Sequence, residues 1–259
     1  MRALVFDLDD TLLNSAKEIG PQTRVALDEW LASGRLICFA TARPTRKVRE
    51  FLPDELYRNC EIISMNGAVQ HSGAAQIYKA RGLGDTARRI VELFPEGQDV
   101  YLTVEISGEK FAANYHSSDE ELRQWNAATR DMLIPLHALD YDQVGKIVLS
   151  RLGPPVNDLL PRMRDLDCEL MLTGGGKYMT VMPCGVDKSS GLSRWLQNED
   201  LGRSDFAVFG DELPDVRMMK LSDHAIAMSN AIPAVKAVAH DVIGHCDDDC
   251  IGPYLRKWL

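Results

Sequence analysis

The chain has 259 residues, 45% of them hydrophobic, and its 38 Asp and Glu against 29 Lys and Arg give a formal net charge of -9. That length suits one large domain or a domain carrying a sizeable insertion, with enough apolar residues for a real core. The negative balance repels nucleic acid and anionic lipid over most of the surface, so neither is an expected partner, and a phosphate-bearing ligand must be met by a local positive site. No apolar run approaches the roughly 18 residues of a membrane span, and Asp7 interrupts the N-terminal run too early for a signal peptide, so the expectation is a soluble cytoplasmic protein. Cys38, Cys60, Cys168, Cys184, Cys246 and Cys250 show no framework of paired spacings and are expected to be reduced.

Short β-rich apolar runs alternate with longer helical patterns, the signature of a parallel sheet covered by helices on both faces. "ALVF" (3 to 6) is the first predicted strand. "GPQTRVALDEWLASG" follows as a helix, with Pro21 suited to its first turn, Leu27, Trp30 and Leu31 on one face, and Gly34 suited to its end. "LICFA" (36 to 40) and "EIISM" (61 to 65) are the next strands.

From about Arg81 the rhythm changes. A helix "DTARRIVELF", strands "DVYLTVEIS" and "KFAANYH", a helix "DEELRQWNAATRDML", a strand "KIVLS", a helix "PVNDLLPRMRDL" and a hairpin "CELML" to "YMTVM" read as a self-contained α+β module. The parallel pattern then resumes with "FAVF" (206 to 209) and "AIAM" (225 to 228). The chain therefore divides into a core, 1–80, an insert, 81–183, and the rest of the core, 184–259.

Polar residues directly follow the core strands: Asp7 after "ALVF", Thr41 after "LICFA", Asn66 after "EIISM" and Asp211 after "FAVFG". In an open α/β sheet ligands bind beyond the carboxyl ends of the strands, so four separate stretches converge on one crevice. In "DLDDT" Asp7 and Asp9 project to the same side, and two carboxylates that close resist joint ionisation unless a cation or an acid-base role separates them. Asp211 opens a second acidic cluster, "FGDELPD" (209 to 215). Asp7 and Asp211 therefore offer a shared site to a hard divalent cation, Mg²⁺ above all. Thr41 supplies a hydroxyl and nearby backbone N–H groups. Lys188 stands in the first turn of a helix in "GVDKSSGLSRWL", where the helix dipole disfavours it unless an anion is bound there.

In this order the motifs "VFDLDDTLL", "FATAR", "SMNGA", "GVDKSSGL", "FGDELPD" and "AIAMSNA" resemble the haloacid-dehalogenase-like hydrolases, specifically the Cof-like subgroup with a large α+β cap inserted after the third core strand. The resemblance covers essentially the whole chain, the cap by layout more than by motif. It implies a Rossmann-like parallel-sheet core with an inserted cap. Asp7 would be the nucleophile that forms an aspartyl-phosphate. Asp9 would be the general acid and then the base, with its carbonyl on Mg²⁺. Asp211 would complete the protein ligands, Asp215 would support it, and Glu212 would face solvent. Thr41, the Ala42 amide and Lys188 would hold the phosphoryl group, and Arg43 and Asn66 would touch substrate. The sequence departs from the family pattern at Asp10 and Ala42, where Gly is commoner, and at Pro214, where the subgroup usually has Asn. The implied activity is a Mg²⁺-dependent phosphatase for a small phosphorylated metabolite; a phosphomutase or phosphotransferase and a non-catalytic sensor are the alternatives.

Two further stretches are set aside. "TGGGK" (173 to 177) fails the nucleotide P-loop pattern, since Met171 stands at the first Gly position and Tyr178 follows the Lys, so it is read as a hairpin turn. "HCDDDC" (245 to 250), with His240 nearby, lacks the spacing of a tetrahedral zinc site and is read as a solvated acidic loop. Trp30, Trp125, Trp195 and Trp258 fall in helical patterns and are read as packing residues.

Overall fold

The computed structural model describes residues 1–259, apart from the side chains of Trp125 and Asn126, so the packing expected of Trp125 lies outside the described residues. The first part of the chain runs β1 (Ala3–Phe6), α1 (Pro21–Ala32), β2 (Leu36–Ala40), α2 (Thr45–Phe51), α3 (Asp54–Asn59), β3 (Glu61–Ser64), β4 (Val69–Ser72) and β5 (Ala75–Lys79). The middle holds α4 (Asp85–Leu93), β6 (Val100–Ile106), β7 (Lys110–Ala113), α5 (Asp119–Asn126), β8 (Val144–Arg151), α6 (Leu160–Met163), β9 (Glu169–Thr173) and β10 (Tyr178–Met182). The last part holds α7 (Lys188–Asn198), β11 (Phe206–Gly210), α8 (Asp215–Met219), β12 (His224–Ala227), α9 (Pro233–Lys236), β13 (Asp241–Val242) and α10 (Ile251–Leu255).

Among the described residues these strands form two sheets. One has the order β13-β12-β11-β1-β2-β3-β4-β5, and the other β7-β6-β8-β10-β9. The first is parallel from β13 to β3 and antiparallel at β4 and β5. The second is antiparallel throughout.

The central strands are apolar on both faces because both are covered. In β1, Leu4 and Phe6 join the cluster containing Leu27 and Trp30 of α1, whereas Ala3 and Val5 join that containing Leu192 and Trp195 of α7. Period-two alternation thus serves two buried layers at once. The second sheet has its own core, in which Ile90 of α4 and Phe94 pack with Leu102, Val104, Ile147 and Leu149.

Several sequence boundaries shift, each for a local reason. The strand expected to include Met65 ends at Ser64, because Met65 and Asn66 take positive φ of 52° and 54°. The β4–β5 hairpin that follows was not anticipated. The strand expected through His116 stops at Ala113, where the Asn114 side chain takes over the ladder by accepting from the Leu102 N–H and donating to the Phe94 and Val100 carbonyls. The helix expected to reach Leu133 ends at Asn126; Ala127 is left-handed, and Arg130 folds back onto Asp119 and the Ser117 carbonyl. The helix expected over 155 to 166 is a 3-10 turn, Val156–Leu159, followed by the short α6, since Pro161 cannot donate to a continuous ladder.

"HCDDDC" is more tied down than a solvated loop. Asp247 accepts from the Ser15 N–H and hydroxyl, Asp248 from the His245 N–H, and Asp249 from the N–H groups of Gln22 and Thr23 at the start of α1. The Asp249 bonds dock this loop onto the start of α1, the Asp247 bonds tie it to Ser15, and the Asp248 bond closes the loop on itself. His240 is engaged elsewhere, accepting from the Ala225 N–H at 3.1 Å.

Candidate active site

A small cavity of about 130 Å³ opens where β1, β2, β3 and β11 end. Asp7, Asp9, Asp10, Ala42, Asn66, Lys188, Asp211, Glu212, Pro214 and Asp215 line it from the parallel sheet, and Thr173 and Thr180 from the second sheet. The four strand-end positions are thereby brought together, although Thr41 stands just behind the wall, 1% exposed.

Lys188 organises the charges. It is the first residue of α7, after the N-cap Asp187, whose carboxylate accepts from the Ser190 N–H. Its ammonium donates 2.7 Å hydrogen bonds to both Asp7 and Asp215, and it is only 3% exposed. Burial alone pushes the ammonium down, but Asp215 and Asp7 outweigh that and hold it above its ordinary range. Asp215 is fully buried and also accepts from the N–H groups of Asp211 and Glu212, so it shapes the acidic loop. Close approach explains Gly210: a Cβ there would lie 2.6 Å from the Asp215 Cβ. Pro214 is buried beside Asp215 at the N-cap of α8, where the missing N–H leaves no gap in the helix.

The nucleophile candidate is pushed up strongly. Burial is the main cause at Asp7, opposed by Lys188 and reinforced by Asp215 and Asp211. Asp211 is pushed up to about 7, again first by burial, with the Thr11 hydroxyl donating to it at 2.6 Å as a partial offset. Ligand oxygens of Asp7, Asp211 and Asp215 lie within 4.8 Å of one another. All are hard oxygen donors, the set a small divalent cation selects.

Asp9 behaves oppositely. Burial pushes its carboxyl up, yet hydrogen bonding and charge from Arg43, with Lys17, hold it below the ordinary value. Arg43 grips both Asp9 oxygens and lies over the Phe51 ring at 4.3 Å. The residue expected on substrate is thus engaged with the expected general acid. Behind it the Arg43 N–H donates to the Thr41 hydroxyl oxygen at 3.1 Å.

Asn66 is 2% exposed, and among the described residues its Oδ1 has no hydrogen-bond partner. The turn that carries it fits because Gly67, at φ +95°, sits where a Cβ would be 2.1 Å from the Asp187 carbonyl. Gly67 therefore docks the Asn66 turn against the start of α7.

Glu212, expected to face solvent, is partly exposed and also accepts from the Gly174 N–H at 2.9 Å. That bond joins the acidic loop to the glycine turn between β9 and β10, so "TGGGK" is a hairpin turn that also bridges the two sheets. Sequence reasoning missed Thr173 and Thr180; a lone threonine in the apolar alternation "YMTVM" was the available signal. Thr11, inside "DLDDT", and Asp187, just before Lys188, were also passed over.

The family model described as haloacid dehalogenase-like hydrolase matches residues 4–255. The chain is 26% identical over 267 residues to the HMP-PP phosphatase of Cronobacter sakazakii, covering 98% of this chain and 94% of that one. It is 22% identical to the 5-amino-6-(5-phospho-D-ribitylamino)uracil phosphatase YitU of Bacillus subtilis, covering 99% and 97%. Its fold is similar to that of the HAD subclass IIB sugar phosphatase BT4131, with a TM-score of 0.76 at 20% identity over 100% of this chain and 99% of that one. No helix among the described residues is long and apolar enough to cross a membrane. The chain belongs to the haloacid dehalogenase-like hydrolases.

Proposed function

We propose that the protein is a Mg²⁺-dependent phosphatase that hydrolyses a small phosphorylated metabolite, a sugar phosphate or similar ester, through an aspartyl-phosphate on Asp7. Residues 1–80 and 184–259 form the catalytic core in this reading, and residues 81–183 form the cap. The observation that carries it is the buried Asp7 carboxylate at a strand end, held on one oxygen by Lys188 at 2.7 Å, inside a cavity walled by both sheets.

Asp7 attacks phosphorus and the ester P–O bond breaks while Asp9, in its acid form, gives a proton to the departing alkoxide; Asp9 then takes a proton from the water that cleaves the acyl phosphate, which returns Asp7 to its carboxylate and Asp9 to its acid form. Asp9 rests in its ionised form under the grip of Arg43. An arriving phosphate dianion competes for that guanidinium, and its release raises the proton affinity of Asp9, which takes up from solvent the proton it then donates. The Thr41 hydroxyl, the Ala42 N–H and Lys188 receive the phosphoryl oxygens. Asp7, Asp211 and the Asp9 carbonyl would hold Mg²⁺, with Asp215 in support; three crowded carboxylates with one ammonium among them fit a divalent cation. When bound, the ion supplies positive charge that lets an anionic ester approach anionic Asp7.

The cap contributes the threonines Thr173 and Thr180, and Asn66 offers an unpaired acceptor. Neutral hydrogen-bonding groups of this kind suit a leaving group that carries hydroxyls. The small cavity and the small-metabolite phosphatases among the relatives support the same reading.

The test is phosphate release from a metabolite panel with Mg²⁺, repeated with EDTA and with Asp7→Asn. Both treatments are expected to abolish turnover, the substitution by about 10⁴-fold or more. Activity that survives both would sink the nucleophile and metal assignments together. Transfer to a sugar hydroxyl without free phosphate would make the protein a phosphotransferase.

A further inference from the structure

Four contacts from the second sheet and its flanks converge on residues 42 to 47 of the core. Glu105 of β6 and Lys146 of β8 stand directly opposite each other in the sheet, and both are buried. Glu105 accepts two hydrogen bonds from the Arg46 guanidinium, at 2.7 and 2.8 Å. Lys146 donates to the Ala42 carbonyl at 2.7 Å. Beside them the Arg46 N–H donates to the Gly108 carbonyl at 3.1 Å, and Lys47 donates to the Gln124 carbonyl at 3.0 Å.

The two charges of this cross-strand pair are differently matched. Both Glu105 oxygens are met by a cation, and that bidentate pair suffices to fasten cap to core. Lys146 meets a neutral carbonyl and, among the described residues, forms no ion pair with a carboxylate. Burial pushes its ammonium down to about 8, opposed by Glu105 and reinforced by the nearby charges of Lys188, Arg46 and Arg43. Such a group is costly to bury, and fastening does not explain it.

The carbonyl it grips does. The Ala42 carbonyl and the Arg43 N–H belong to one peptide plane, with Lys146 on its oxygen and the Thr41 hydroxyl oxygen accepting from its nitrogen. Because the Thr41 oxygen accepts there, its own proton is left to donate elsewhere. The Ala42 N–H, one residue back, meets no protein acceptor among the described residues.

We propose that Lys146 is a positioning residue: the seated cap delivers its ammonium to the Ala42 carbonyl, fixing the peptide that aims the Thr41 hydroxyl and the Ala42 N–H at the phosphoryl group. Cap position and phosphate grip are thereby one event. The inference rests on the phosphatase reading above, which assigns the phosphoryl group to those donors.

The test compares Lys146→Met, Lys146→Gln and Lys146→Arg with the native protein, using p-nitrophenyl phosphate and the best metabolite of the panel. Lys146→Met is expected to lower kcat/KM about 100-fold, the scale of a misplaced reacting group, and by the same factor for both substrates. Lys146→Gln should fall between, and Lys146→Arg should restore most of the loss. Hydrogen exchange at the Arg43 amide should quicken about tenfold in Lys146→Met while β1 and β2 keep their protection. Unchanged turnover, or a loss confined to one leaving group, would overturn the assignment; so would unchanged exchange at Arg43, a readout that stands even if Asp7→Asn shows the phosphatase reading itself to be wrong.

Discussion

On the side of the parallel sheet, candidate site residues stand within three positions of a strand end or at the first residue of a helix: Asp7 and Asp9 after β1, Thr41 and Arg43 after β2, Asn66 after β3, Asp211 after β11, Lys188 and Asp215 at the starts of α7 and α8. On the side of the antiparallel sheet the residues that reach the site or its supporting loop lie inside strands: Glu105 in β6, Lys146 in β8 and Thr180 in β10, with Thr173 alone at an end. The contrast has a geometric cause. A parallel sheet gathers all its carboxyl ends on one edge, so a polar residue there is near the ligand crevice whichever face its neighbours take. An antiparallel sheet presents a face, and a mid-strand residue reaches the site only if register and sheet orientation turn it that way.

The two sides should therefore fail differently when altered. The largest effect is expected on the core side: Lys188→Met leaves Asp7 and Asp215 buried without their cation, which should cost about 3–5 kcal/mol of stability in urea unfolding without Mg²⁺, together with turnover. A loss below about 1 kcal/mol would show that the acids relax by themselves, and the core side would no longer be the electrostatically committed half. On the cap side, Thr180→Val keeps the shape and removes one hydroxyl. It should reduce kcat/KM for the preferred metabolite by about fivefold, one hydrogen bond's worth, and leave p-nitrophenyl phosphate unaffected. Equal losses on both substrates would place Thr180 at the phosphoryl group and blur the division.

A buried acid at the start of β3, at the end of the parallel sheet away from the crevice, sharpens the comparison with the smallest effect. Glu61 of β3 is pushed from its ordinary 4.5 up to about 7 by burial, with a 2.6 Å hydrogen bond from Gln70 opposing the shift. The folded chain keeps a proton there that the unfolded chain has released, so its contribution is present in acid and is lost as pH rises through about 7. Glu61→Gln should flatten the stability profile between about pH 5 and 7.5 in denaturant titrations, with turnover unchanged. An unaltered profile would mean that Glu61 ionises freely and that burial alone does not set these acids.

"DLDDT", "FATAR" and "GVDKSSGL" declared their place beside the crevice locally, because strand ends and helix starts are written in adjacent residues. The sequence by itself determined the parallel core, with both faces of β1 covered, and the crevice where Asp7, Asp211 and Lys188 meet; those follow from hydrophobic period and from polar residues at strand ends. Only the tertiary structure decided the rest. Arg43 turned onto Asp9, and Glu212, still partly exposed, reached the Gly174 N–H. Lys146 came to rest on a carbonyl 104 positions earlier in the chain. Each of these depends on where a distant strand or turn lands, and no local pattern encodes a partner that remote.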